Sequence, residues 1–562
     1  MVSTGNLNFT NGSPNISGQF SGFDTNAIIS ASLQAKRIPA VRMEQTIQEN
    51  DLKSQAYSEL SALLTTLQDA SQSLRNPPGL SGTDSNIFET KSAFLTSGNA
   101  TNATTLLGVT ATNSAASGTY DLEILRLATA NKISSGTIVD STAAQGIADT
   151  ITIGLAGGTT KDIVIEATDS LDDIAAAINA VKGDTKVRAS VIKVADNDFR
   201  LILTGEDTGK AITLSGTSGQ FLTTYGDGAV LTELDPAQTS QVKIDGIATI
   251  IERTSNDLSD VVEGVTFQLY KADVGNIIKV EIQNNLGSIK EKIADFVNAY
   301  NAIRDLVTQQ RDYDPQSATA VRPTLYGDDL VRTVEQNIFR DVANGALGVG
   351  STAVNTLAEI GIKINAESKL DIDDTKLDAA LLSDIDGVRG VFEFGFTSDS
   401  TDLRVISRSS AVNVDDFELV ISGVDAGGTI TGATVTGQGS VFDIAGNVLT
   451  GKAGTAYEGL VIVYAGAAGS GAKNIQIQSS LGIGESVYQS LESFLKPGGL
   501  LPTRLAAITS ENTDLNSRVI DIDAKLAVTR LFLLDKYAKL EQSLAQADAM
   551  KKQLEAMVNS QK

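Results

Sequence analysis

Apolar residues recur at helical spacing near both ends of this 562-residue chain and at strand spacing between them. Near the start, Asp24 is placed to cap a helix through Ala35, with Ile28, Ile29 and Leu33 on one face. Pro39 then permits a fresh helical start. Met43, Ile47, Tyr57, Leu60, Leu64, Leu67 and Leu74 carry a long pattern until Asn76-Pro77-Pro78-Gly79 stops it. Toward the other end, the stretch from Thr503 to about Val558 contains neither Gly nor Pro. Leu515, Val519, Ile522 and Leu526 step by fours and threes, followed by Leu533, Tyr537, Leu540, Leu544, Leu554 and Val558. The step from Leu533 to Tyr537 is a stutter in the heptad register. A helix of about 56 residues would be ~84 Å long at ~1.5 Å per residue. One small domain cannot cover such a stripe. It needs the N-terminal helix or a copy of itself.

Between the ends the pattern changes to strands. Period-two alternation appears in Thr119–Leu125, Asp162–Glu166, Val187–Ile192 and Phe199–Leu203. A short helix over Ser170–Ala180 is expected, with Ser170 as cap and Asp173 closing an acidic capping box. A looser echo of that unit recurs at Ser255–Val262. A helix-rich block spans Gly287–Asn344, carrying Ile293, Phe296, Val297, Tyr300, Ile303 and Leu306, and residues 397–478 return to Gly/Thr/Val-rich strands. This order predicts a multidomain α+β fold, with helical, coiled-coil-like termini brought together and nested β-rich domains inserted between them. The expected boundaries are a helical leg over 1–76 and a helix-rich core from 77–118 with 287–396. Between these lie β-rich domains over 119–286, including an insert at 146–234. An additional β domain covers 397–478, and a second helical leg covers 479–562.

Charge sharpens the division. The chain carries 44 Lys plus Arg against 68 Asp plus Glu, a net −24. Residues 1–76 carry five basic and six acidic side chains, and residues 503–562 carry nine and eight, so the middle holds the excess. Near-neutral ends suit packing against other chains, whereas an acidic middle repels phosphate backbones and anionic lipid, so no nucleic-acid partner is expected. The apolar run Leu460–Ala468 is far short of the ~20 residues a membrane span needs, so membrane insertion is not expected either. Met1–Thr10 lacks the basic and apolar regions of a secretory signal.

Chemistry is thin. With no His, Cys or Trp, there is no Ser-His-Asp triad, cysteine nucleophile, disulfide or cysteine-histidine zinc site. Gly205-Glu-Asp-Thr-Gly209-Lys210 is one residue short of a phosphate loop, and Ala211 stands where its Ser or Thr would hold magnesium. It reads as a β-turn. Asp371-Ile-Asp373-Asp374 lacks the turning Gly and closing Glu of a calcium loop, with Lys376 and Leu382 at those places. No spacing among the 54 acidic residues of the middle selects a catalytic carboxylate pair. Lys36-Arg37 reads as a solvated helix end. The expectation is a scaffold, with no enzymatic activity, cofactor or metal.

Several blocks, taken in order, resemble the flagellar filament cap proteins, the hook-associated protein 2 family. Ser21-Gly-Phe-Asp-Thr25 followed by Ala35-Lys-Arg-Ile-Pro39 is similar to the family's opening, and Tyr57-Ser-Glu-Leu60 continues it. Leu171–Asn179 with Leu201-Ile-Leu-Thr-Gly205 resembles the small insert shared by flagellins and caps. Phe296–Asn301, Tyr326-Gly-Asp-Asp329, Leu357–Ile362 leading to Leu370–Asp373, and Met557–Gln561 also agree. Residues 397–478 depart from the pattern, which expects a shorter link there, and read as an added β domain. The trailing helix also lacks some family aromatics, although Phe532 and Tyr537 remain.

The resemblance implies a structural cap at the distal end of the flagellar filament that helps exported flagellin fold and insert and prevents its loss. It implies an extracellular protein, exported by the flagellar type III apparatus without a cleaved signal. The implied partners are itself in a ring of roughly four to six, flagellin, the hook-filament junction protein, and an export chaperone at the C-terminal helix. Assembly contacts are expected at Ile28, Leu33, Leu60, Leu64, Leu67, Leu515, Val519, Ile522, Leu526, Leu533, Leu540, Leu544 and Leu554. Two other readings are another axial flagellar protein and a surface adhesin whose β domains bind host glycans.

Overall fold

The computed structural model describes residues 7–10, 13–16, 21–22, 24–75, 86–226, 230–316, 321–348, 354–408 and 416–560. The chain divides into two compact units, Met1–Arg75 with Lys292–Lys562, and Asn76–Glu291.

In the first unit, a leading helix runs unbroken over Thr25–Leu74. Asp24 caps it, accepting the Ala27 N–H at 3.0 Å. The expected break before Pro39 does not occur. A proline removes one helical N–H and crowds the preceding turn, at a cost of about 3 kcal/mol or more. Here its ring lies on the exposed side, while Ala40 beside it is fully buried. Packing on both sides of Pro39 therefore holds the helix through it. The trailing helix covers Leu500–Ser560, begins just past Gly498 at φ +80°, and carries Pro502 in its first turn. A helix over Ile483–Leu495 precedes it and packs on the leading helix.

Shorter helices fill the middle of this unit. Most of the helix Leu286–Arg311 belongs to it, together with Asp329–Ala343, Asp374–Ser383 and Ile385–Phe392. Phe296 and Phe392 meet edge to face with ring centres 6.0 Å apart. Between Phe392 and Ile483 the chain makes a β-sandwich. One sheet pairs strands Phe394–Ser398, Lys473–Leu481, Phe417–Val424 and Ile430–Val435, in that order. The other pairs Leu403–Ser407, Val461–Tyr464, Val448–Gly451 and Phe442–Ala445. Alternation puts Phe417, Leu419 and Ile421 inside with Ile475 and Ile477, and Tyr457 packs against Phe417 and Phe442. No linker joins the sandwich to the helices. Phe394 pairs with Leu481, and the Gly482 N–H donates to the Glu393 carbonyl at 2.9 Å. A Cβ at Gly482 would lie 2.3 Å from the Phe392 carbonyl carbon, so the junction requires glycine.

The second unit is mostly sheet. A five-stranded sheet runs Ile251–Arg253, Ser240–Ile244, Gly118–Arg126, Ile277–Asn284, Lys91–Ser97. A three-stranded sheet runs Asp257–Val262, Val265–Leu269, Leu107–Ala111, and Leu122, Phe267 and Val280 lie in the shared core. Two expectations change here. Within 77–118, Lys91–Ser97 and Leu107–Ala111 are strands in these sheets, not part of a helix-rich core with 287–396. The Ser255–Val262 echo is not a helix. Leu258 is buried opposite Phe267, and the β-branched Val261 and Val262 suit an extended chain better than a helical turn.

Around Asp149–Leu155, Thr160–Ile165, Val187–Ala195, Asp198–Thr208 and Ile212–Gly216 lies a second core, covered by the helix Leu171–Ala180. The capping box is present. The Asp173 N–H donates to Ser170 Oγ and the Ser170 N–H to the Asp173 carboxylate, both at 3.1 Å. Gly205–Lys210 is the end of a strand and its turn, with Gly209 at φ +71°.

Candidate assembly surface: the terminal helical hairpin

The leading and trailing helices pack on each other along much of their length. Polar ties fix their direction. Asn50 Nδ2 donates to Asn512 Oδ1 at 3.0 Å, Arg37 donates to both Asp523 oxygens at 2.9 and 3.0 Å, and Ser21 Oγ donates to Glu541. Going from Asn50 back to Ser21 on the leading side matches going from Asn512 forward to Glu541 on the other, residue for residue, so the helices are antiparallel. Arg37 also donates to Glu44 at 2.7 and 3.2 Å. Hydrogen bonds to Asp523 and then Glu44 hold its guanidinium above its ordinary pKa, and the same contact lowers the Asp523 carboxyl. Lys36-Arg37 is therefore mid-helix, and Arg37 is a cross-helix tie rather than a solvated end. Lower down, the Tyr57 hydroxyl donates to Asp328 at 2.6 Å, and that carboxylate also caps Asp329–Ala343 by accepting from Leu330 and Val331. Burial, followed by the Asp328 bond, pushes the Tyr57 hydroxyl upward in pKa.

The expected assembly residues fall into three settings. Leu60, Leu64 and Leu67 are fully buried by their own chain, beside the Ile483–Leu495 helix, and Val519 is buried between the long helices. Leu33, Leu515, Ile522, Leu526, Leu533 and Leu544 are half-buried along the seam. Ile28, Leu540 and Leu554 are exposed.

A buried ion cluster has no local signature in the sequence. Glu485 is completely inaccessible and receives Arg75 Nη1 at 3.2 Å and Arg408 Nη1 at 2.7 Å. The Arg75 guanidinium lies 3.6 Å over the Tyr488 ring. Burial pulls its pKa down, against the pull of Glu485. Arg75 ends the leading helix and Glu485 sits in the first turn of Ile483–Leu495, so each charge complements its helix dipole. Arg408 follows strand Leu403–Ser407, so the cluster ties the sandwich to the helices. Spacing cannot find this site, because its members are 410 residues apart in one pair.

Among the described residues no helix is long and apolar enough to cross a membrane, and no group of three or more acidic side chains is placed to hold a metal ion.

A family model for the C-terminus of flagellar hook-associated protein 2 matches residues 237–549, more than half of the chain. The chain belongs to the flagellar hook-associated protein 2 family. The model for the family's N-terminus matches residues 21–131, and the flagellin hook IN motif matches 150–207, the helix-covered core described above. The flagellar hook-associated protein 2 of Escherichia coli O157:H7 is 30% identical over 66% of this chain and 77% of its own length. The A-type flagellar hook-associated protein 2 of Pseudomonas aeruginosa is 26% identical over 68% of this chain and 80% of its own. A crystal structure of the flagellar cap protein FliD D1-D2-D3 domains from Escherichia coli aligns over 60% of this chain and 89% of its own, at 28% identity and TM-score 0.48. A member of this family has a flagellar filament cap function, and that is the function of this chain. Its place is the flagellum.

Proposed function

We propose that copies of this chain close into a ring of roughly four to six at the filament tip, where they hold exported flagellin until it folds and inserts. The helical hairpins act as legs toward the filament and the acidic β domains form the outward plate. The hook-filament junction protein is the surface on which the ring first sits. The chain reaches the tip through the flagellar type III channel without a cleaved signal, and it acts by contact rather than by catalysis.

The observation that carries this reading is the incompletely covered trailing helix. It continues past Glu541, and Met550, Leu554 and Val558 are each about three-fifths exposed. Such a stripe calls for a partner before and after assembly, which supports an export chaperone first and neighbouring subunits later.

The deciding experiment removes the gene and assays the culture medium. Abundant unpolymerised flagellin with few filaments, reversed by restoring the gene, is expected. Normal filaments and a clean medium would overturn the reading and favour adhesion. At the residue level, Ile522→Asp should abolish capped filaments; normal capping by that variant would remove the leg assignment.

A further inference from the structure

The trailing helix carries two apolar seams, and the leading helix uses only one of them. Leu515, Val519, Ile522 and Leu526 face the leading helix. Ile520, Ala524, Ala527 and Leu531 repeat the same four-three-four spacing five residues on, and all four are exposed, with Ile520 at 61% and Leu531 at 69%. Five residues at ~100° each place the second seam roughly 140° around the helix from the first. The leading helix has a counterpart. Ile29, Leu33, Arg37 and Ala40 turn inward, while Ile28, Ala31, Ala35 and Ile38 form an exposed heptad seam on the far side. The hairpin thus has one unpartnered seam on each flank.

We infer that these two seams are one interface, the outer face of the trailing helix of one copy packing against the outer face of the leading helix of the next. The inference rests on the reading of the chain as a ring-forming cap. The register set by the polar ties selects a second copy over any other occupant. In that register Ala31 lies level with Leu531, Ala35 with Ala527, and Ile38 with Ala524. The two seams occupy the same stretch of the hairpin, with Leu531 opposite Ala31, Ile38 opposite Ala524, and the small pair Ala35 and Ala527 between them. Copies related by rotation about an axis parallel to the hairpin need no axial shift to bring the seams together. That is the condition under which a heterologous contact closes into a ring. A large residue against Ala at either end, with Ala against Ala between them, lets the helices approach closely and interlock as in a coiled coil.

The chain has no cysteine, so engineered thiols report the contact directly. The full-length double variant A35C/A527C, purified and mildly oxidised, should give a ladder of covalent multimers on a non-reducing gel that collapses on reduction. The two positions lie on opposite flanks of one hairpin, beyond the ~7 Å limit for a disulfide within a chain. The level-mismatched pair A35C/S543C should give no ladder. Leu531→Asp, at an exposed site, should abolish multimers in light scattering while leaving helical circular dichroism unchanged. Three results would overturn the inference: a multimer that gives no ladder, a protein that stays monomeric at every concentration, or cross-links to flagellin in place of a second copy. A ladder from a chain whose gene proves dispensable for filaments would keep this interface and remove the cap reading.

Discussion

The β-sandwich between Phe392 and Ile483 and the trailing helix that follows it solve burial in opposite ways. The sandwich closes on itself, with Leu419, Ile421, Leu449, Leu460, Ile462 and Ile475 at zero exposure. The trailing helix is 61 residues long, yet only Leu501, Ile508, Val519 and Glu541 are buried among its described residues. Two sheets facing each other cover both apolar faces at once. A long helix against one partner covers one stripe, and any second stripe waits for another chain. A self-sufficient element decorates an assembly; an element with an uncovered seam builds one.

The Arg75–Glu485–Arg408 cluster is where the two kinds of element meet, and breaking it gives the largest expected effect. Glu485→Ala would strand two guanidinium groups in the interior, a loss of about 3–5 kcal/mol. Chemical denaturation should show both the sandwich and the hairpin weakened. A sandwich transition that stays in place would mean the cluster is not their joint. Next, Leu419→Ala opens a cavity in the sandwich core and should cost about 2–5 kcal/mol. Because that core is closed, multimer size by light scattering should not change. If it does, the sandwich contributes to assembly after all. A smaller effect is expected on the helical side. Asp328→Ala removes the cap of Asp329–Ala343 and the partner of Tyr57, about 1–2 kcal/mol, and should appear as a lower melting temperature.

The sequence announces whatever is periodic and local. The Ser170 capping box, the Gly-free trailing helix and the alternating strands of the sandwich can all be read directly, because each signal lies within a few residues of what it specifies. Pro39 misleads for the same reason. Its local penalty is plain, while the packing of Ala40 and the ties of Arg37 that offset it come from residues nearly five hundred positions away. Leu60, Leu64 and Leu67 show the other limit: an apolar stripe states that something covers it but not which chain does. The second seam of the trailing helix was visible as Ile520, Ala524, Ala527 and Leu531, yet its alanines are weak markers of burial. Only the antiparallel register reveals that it stands level with a matching seam.

The finest test of the contrast is electrostatic, and it compares a carboxylate at the open hairpin with one in the helical core. Hydrogen bonds from Arg37 lower the Asp523 carboxyl from its ordinary 3.8. A depressed carboxyl contributes stability that is fully present above 3.8 and is lost as pH falls through its lower folded value. Asp523→Asn should therefore melt slightly below the parent protein at neutral pH, with the gap closing in acid. Asp341 has the opposite sign. Burial raises its carboxyl above 3.8 although Ser490 donates to it, so the folded state binds the proton more tightly and stability rises as pH falls through the raised value toward 3.8. Asp341→Asn should match or exceed the parent at neutral pH, and the parent should gain on it in acid. Melting curves of the two variants against the parent, from pH 7 to pH 3, should diverge in sign. Parallel curves would mean that Arg37 and Asp523 do not hold each other in solution, and the register that aligns the two outer seams would lose its strongest tie.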